Sequence, residues 1–269
     1  MAVVAGLLFG SFLNVCIARL PEHRSIAWPG SRCPRCSAPI RAVDNIPLLS
    51  FVLLRGRCRH CRKPISLRYP LVEAGLAALF LLAAVRFPFP WQFAEAAVFC
   101  FLLLGLLGMD AETLLLPDSF TLPGIGLGLL QATLTPGGLI STLRLTSGAP
   151  IALPHFPPAA SSLLGSAGAA ASLWLIRWLY RLLRHREGMG LGDVKLGALL
   201  GAWLGIAGVA LTLVLGTLFA SVGGLILLAR GKTTVGPLRL PFGSFLCLGG
   251  LFVLFAGKSI LTWYFHFFS

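Results

Sequence analysis

Long apolar runs, each about the length needed to cross a bilayer, alternate along this chain with short polar connections. They occupy 2–20, 71–87, 91–109, 116–134, 158–183, 191–206, 208–229 and 241–266, and they predict an all-α polytopic membrane protein of about eight transmembrane helices. The first run lacks a basic flank at its start. Ser11, Asn14 and Cys16 interrupt it before Arg19, so it is read as a retained helix rather than a cleaved signal segment. Between residues 21 and 70 the pattern breaks, with Arg, Pro and Cys dominating around one short apolar stretch, IPLLSFVLL. About fifty such residues are too few for a core of their own without a staple. A Pro/Gly/Ser/Thr-rich segment at about 135–157 predicts a loop, and no internal repeat stands out. The chain therefore divides into a first transmembrane helix (1–20), a small soluble domain (21–70) and a helical membrane domain (71–269).

Composition agrees: 57% of the 269 residues are hydrophobic and 12% charged, against about a quarter charged in a soluble domain. The net charge of +13 raises the question of nucleic acid. Location answers it. Eleven of the 22 basic residues lie between Arg19 and Arg68, five between Arg177 and Lys195, and three between Arg230 and Arg239. With eight helices those clusters share one face, leaving only Arg86, Arg144 and Lys258 on the other. The positive-inside rule then places 21–70, the connection after Asp110, the connection before Asp193 and the 230–240 loop in the cytoplasm. Both termini and the 135–157 loop fall outside. The charge is topology rather than nucleic-acid affinity, with some left to attract anionic lipid headgroups.

Cysteine adds chemistry to the soluble segment. Cys33-Pro-Arg-Cys36 and Cys58-Arg-His-Cys61, separated by 21 residues, fit a four-cysteine zinc site in which each pair clamps the ion from one tight turn. Four protein ligands leave no open position, so the Zn2+ is structural and folds the domain as it binds. A redox pair or four free thiols are the alternatives. His60 lies inside the second knuckle and is read as solvated. Cys16, Cys100 and Cys247 sit in apolar runs, as small buried hydrophobes do.

The nine acids can be weighed one by one. Glu22, Asp44, Glu112 and Glu187 belong to polar connections, where a solvated charge is the default. Glu73 and Glu95 lie one turn inside their helices and are expected to reach the interface. Asp118, after Leu116-Pro117, is placed as a helix N-cap. Asp110 ends one apolar run and Asp193 opens another, at positions where an ionised group costs about 2.5 to 3.5 kcal/mol and is usually functional. By the topology above both lie at cytoplasmic helix ends, where they can meet. The glycines of Gly188-Met189-Gly190-Leu191-Gly192-Asp193 permit a positive-φ turn whose open amides could pair with a peptide. Two carboxylates about 3 Å apart hold one proton between them, so one can serve as base to a water and the other as acid to a scissile carbonyl. Lys195 either biases which aspartate ionises or anchors the helix start. A proton- or cation-coupled transporter and a zinc-ribbon membrane scaffold are the competing readings.

Together these motifs resemble the type 4 prepilin peptidases, GxGD-type intramembrane aspartic proteases, over nearly the whole chain. The resemblance is carried by Gly10-Ser11-Phe12-Leu13-Asn14-Val15, Arg19-Leu20-Pro21, the two CxxC knuckles, Asn45-Ile46-Pro47 and Arg68-Tyr69-Pro70-Leu71-Val72-Glu73. Further on it is carried by Met109-Asp110-Ala111-Glu112 through Asp118, by Gly188 through Lys195, and by Pro241-Phe242-Gly243. It implies Asp110 and Asp193 as the catalytic pair, in preference to Asp118, with Gly190, Gly192, Lys195 and Asp118 in support. Ser244 stands where the family commonly has Pro, and the separation of the two aspartates is longer than usual. The resemblance also implies a bacterial inner-membrane enzyme. It would cut the basic leader from type IV prepilins or type II secretion pseudopilins at the cytoplasmic face. S-adenosylmethionine-dependent N-methylation would follow, an activity associated with the cysteine-containing region.

Overall fold

The computed structural model describes residues 1–135, 138–139, 156–185, 189–229 and 240–267. Most of the 135–157 loop, Glu187, Gly188 and the basic 230–239 segment lie outside the described residues.

Among the described residues eight α-helices follow in order: α1 (Ala2–Arg19), the short α2 (Leu49–Leu53), α3 (Arg68–Arg86), α4 (Pro90–Thr113), α5 (Asp118–Leu134), α6 (Pro158–Arg184), α7 (Leu191–Ala229) and α8 (Phe242–Phe267). Proline marks the starts of α4 and α6, where its missing N–H is no loss. Leu114 and His185, both in the left-handed region, close the same two helices. Among the described residues six helices are long and apolar enough to cross a membrane. The expectation of about eight counts in addition the 17-residue α5 and treats the 39-residue α7 as two. At 1.5 Å per residue an unbroken α7 would run about 58 Å, near twice the hydrocarbon thickness.

Inside α7, Gly205 has φ 68° and ψ −172°, a conformation open essentially to glycine alone. The backbone groups loosened there find partners in α6. Ser162 donates to Ala202 O at 2.6 Å, and the Ile206 amide donates to Ser161 Oγ at 3.4 Å. Such substitutes are what lipid demands of an interrupted helix.

α4 is the central element. It packs on α1 and α3 on one side and on α8 on the other, while α7 packs against α8, α5 and α6. Small residues let the backbones close up. A Cβ at Gly201 would lie 2.3 Å from the Gly165 backbone, and one at Gly6 would lie 2.6 Å from Ala77 Cα. Trp203, 2% exposed, stacks on Phe99 and donates from Nε1 to Gly124 O at 2.8 Å, joining α4, α5 and α7.

Contrary to the sequence reading, the segment between α1 and α3 contains a repeat. Arg32-Cys33 … Cys36 … Pro39-Ile40 and Arg57-Cys58 … Cys61 … Pro64-Ile65 form equivalent knuckles. Each closes with an antiparallel bridge, Arg32 with Pro39 and Arg57 with Pro64. In each, the residue after the second cysteine, Ser37 or Arg62, takes positive φ. The repeat is nine residues long, too short to register against the lengths of helices.

Candidate active site and metal centre

Asp110 lies in the last turn of α4, 4% exposed. Its Oδ2 accepts two hydrogen bonds from the start of α8, from the Ser244 amide at 2.5 Å and the Ser244 hydroxyl at 2.8 Å. Gly243 is close as well, since a Cβ there would lie 3.0 Å from Asp110 Cγ and 3.1 Å from Leu116 Cδ1. Asp193 is half-buried in the first turn of α7 and accepts a hydrogen bond from the Gly190 amide. A side chain at the third helical position reaching back to the amide before the helix is half of a capping box. Asp193 feels the charge of Asp110, and the wholly buried Cys247 of α8 feels both. Leu116 lies close to both elements: a Cβ at Gly192 would lie 3.0 Å from Leu116 Cβ.

Several expectations are corrected. Neither Gly190 nor Gly192 has positive φ. Gly192 is already helical, and what it provides is the close approach to Leu116. The Gly190 amide is engaged by Asp193 rather than open. Asp118 makes no side-chain cap, because Pro117 holds the N-cap position and Asp118 is the first residue of α5; Lys195 Nζ reaches its Oδ1 at 2.5 Å. Glu112 is not simply solvated, because it pairs with Arg68. Glu73 and Glu95 are each buried, at 8% exposure, and hold backbone amides rather than water. Glu73 Oε2 accepts the Leu48 amide at 2.8 Å, holding the soluble segment to α3. Glu95 accepts the Leu139 amide at 2.9 Å and the Thr135 hydroxyl. Ser244 is the residue that sequence reasoning missed. Its only trace was a serine after Pro241-Phe242-Gly243, with nothing to connect it to Asp110.

The four knuckle thiols Cys33, Cys36, Cys58 and Cys61 gather with all Sγ atoms within 4.8 Å of one another. Sulfurs around a tetrahedral ion at about 2.3 Å stand about 3.8 Å apart, so a small contraction would seat a metal. Amides of Cys61 and His60 hold the Cys58 thiol at about 7. The Ala38 amide pulls the Cys36 thiol down, but desolvation and the neighbouring sulfurs push it up to about 11. His60 contributes its amide to this cluster. Arg59 donates to both carboxylate oxygens of Asp44, from Nε at 2.9 Å and Nη2 at 2.6 Å, and holds that carboxyl below the usual range. Cys16, Cys100 and Cys247 are buried, as expected.

Helices long enough to span a bilayer, two acids at helix ends with Asp193 within reach of the charge of Asp110, and a four-thiol cluster between α1 and α3 define a multi-pass membrane protein with an appended metal-type knuckle. The chain belongs to the type IV leader peptidase family. Residues 4–87 match the bacterial peptidase A24 N-terminal domain, and residues 97–229 match the type IV leader peptidase family. It is similar to proteins named prepilin leader peptidase/N-methyltransferase. That of Aeromonas salmonicida (strain A449) is 37% identical over 96% of this chain and 90% of its own length. Those of Neisseria gonorrhoeae and Stutzerimonas stutzeri are 35% and 36% identical over 97% and 99% of this chain and 91% and 93% of theirs. No solved structure matches.

Proposed function

We propose that this chain is an inner-membrane aspartic endopeptidase that removes the basic leader of a prepilin or pseudopilin and then methylates the new N-terminus. The reading is supported by Asp110 at the end of α4 and Asp193 at the start of α7, 83 residues apart in sequence yet close enough for one to feel the charge of the other. One carboxylate takes a proton from water, whose oxygen attacks the scissile carbonyl. The other, protonated, donates to the carbonyl oxygen, and the tetrahedral centre collapses as the leaving amine takes up a proton. Because both groups sit at helix ends rather than at mid-helix, the site opens at a membrane face, where the leader of an inserted pilin helix emerges. Counting α5 and the two halves of α7 as crossings gives eight spans, and the positive-inside rule then supports a cytoplasmic side for that face and the knuckles.

The thiol cluster takes one structural Zn2+, which suits a four-sulfur donor set with no open position. For methyl transfer, a cavity of about 630 Å³ lies between the knuckles, α1 and α3. Asn14, Arg19, Arg68, Tyr69 and Glu73 line it, and two buried polar atoms there, Asn14 Oδ1 and Arg68 Nε, have no partner. A ligand with both donors and a carboxylate, as S-adenosylmethionine has, fits those atoms. When bound, that cofactor supplies an electrophilic methyl group to the free amine. Arg19 and Arg68 suit its carboxylate, and Asn14 suits one of its N–H or O–H groups.

The test is co-expression with a prepilin. Asp110→Asn and Asp193→Asn each abolish leader removal, by at least about 1,000-fold if the dyad carries the chemistry. Cleavage persisting in either variant overturns the reading, because an amide cannot serve as base.

A further inference from the structure

We propose that Gly243 and Ser244, at the start of α8, form a positioning element for Asp110, with the Ser244 amide and hydroxyl together fixing one oxygen of its carboxylate. The proposal rests on the assignment of Asp110 and Asp193 as the catalytic pair and goes beyond it by adding a third element to the site.

The argument begins with helix ends. The first amides of any helix lack partners within it, and Ser244 is the third residue of α8. Asp110 supplies the missing acceptor from another helix, 134 residues away, at 2.5 Å from the amide and 2.8 Å from the hydroxyl. A carboxylate is favoured there, since the helix end carries partial positive charge. Both residues are buried, Ser244 at 7% exposure and Asp110 at 4%, so water does not compete for the bonds. The hydroxyl also stands 3.2 Å from Leu107 O, one turn before Asp110, which fixes its own rotamer against α4.

Gly243 completes the cradle by having no side chain. A methyl group there would meet Asp110 Cγ at 3.0 Å and Leu116 at 3.1 Å, and Leu116 also abuts Gly192 beside Asp193. The direction of the Asp110 carboxyl is therefore set by α8, not by α4 alone. Catalysis by oriented groups is sensitive to displacements of about 1 Å, so this contact belongs to the working geometry of the site.

The experiment measures steady-state prepilin cleavage by the purified full chain in detergent, for wild type, Ser244→Ala, Ser244→Thr, Gly243→Ala and Asp110→Asn. Thermal melting is recorded for each. Ser244→Ala is expected to lower kcat about tenfold or more with KM within about twofold, because one charge-assisted hydrogen bond on a reacting group is lost. Ser244→Thr, which keeps amide and hydroxyl, is expected to restore most of kcat. Gly243→Ala is expected to lower kcat by displacing the carboxyl, and it decides the matter if Ser244→Ala does not fold. Wild-type kcat in Ser244→Ala and Gly243→Ala, with Asp110→Asn inactive, overturns the positioning role alone. Equal losses in the Ala and Thr variants that track a lowered melting temperature overturn it too. Activity in Asp110→Asn overturns the catalytic pair itself.

Discussion

At the residue scale, the chain has nine acids, and the structure gives them sharply different neighbours. Asp110 holds the Ser244 amide and hydroxyl, Asp193 feels the charge of Asp110, Glu73 and Glu95 hold backbone amides, and Asp44, Glu112 and Asp118 face cations. The Lys195–Asp118 pair is largely open to water, with side chains 34% and 59% exposed, so it contributes at most about 1 kcal/mol. Reversing one charge, as in Lys195→Glu, sets two carboxylates against each other and lowers the melting temperature by a few degrees. The double swap with Asp118→Lys recovers it, and a double-mutant cycle in thermal melts measures the coupling. Asp110 and Asp193 were legible in the sequence because a charge stands out inside an apolar run. Ser244 was not, because a serine in a membrane helix is unremarkable until its partner is known. Asp118 looked like a cap because it follows Leu116-Pro117, but Pro117 holds the N-cap position and Asp118 is the first residue of α5.

At the element scale, the helices follow the hydrophobic runs to within a few residues, because lipid forces every apolar run of that length to satisfy its backbone internally. What the runs could not locate is the break at Gly205, placed one or two residues later by hydropathy alone. Hydropathy averages over a turn, whereas a break is a property of one residue's φ and ψ. The knuckles behave differently, since their fold comes from cysteine spacing rather than burial. With the metal stripped by a chelator, the segment between α1 and α3 is expected to become protease-sensitive while the membrane helices stay intact. Limited proteolysis with and without added Zn2+, beside metal analysis showing about one equivalent per chain, checks this. The nine-residue repeat was present in the letters, but it emerged only when the two bridges and the two positive-φ residues aligned.

At the scale of the whole molecule, α4 divides the fold into an N-terminal half of α1, α3 and the knuckles and a C-terminal half of α5 to α8. The candidate dyad lies where α4, α7 and α8 converge, and the cavity proposed for the methyl donor lies between the knuckles, α1 and α3. If these are separate sites, an Asp193→Asn chain is inactive in cleavage yet still methylates a pre-cleaved pilin. The eight-span topology has its own check. Single cysteines at 41 and near 145, on a background without the other exposed thiols, should react with an impermeant maleimide from opposite faces of the membrane. Labelling of both from one face overturns the topology.

The sequence by itself determined the helices and the four thiols, and it singled out two carboxylates and, from the distribution of cations, a side of the membrane. These follow from properties local to a residue or a run: hydropathy, cation counts and cysteine spacing. The tertiary structure decided which carboxylate meets which partner, that α8 reaches Asp110 through Ser244, and that a cavity opens beside the knuckles. Those are relations between residues as much as 134 positions apart, set by how small residues let one helix approach another.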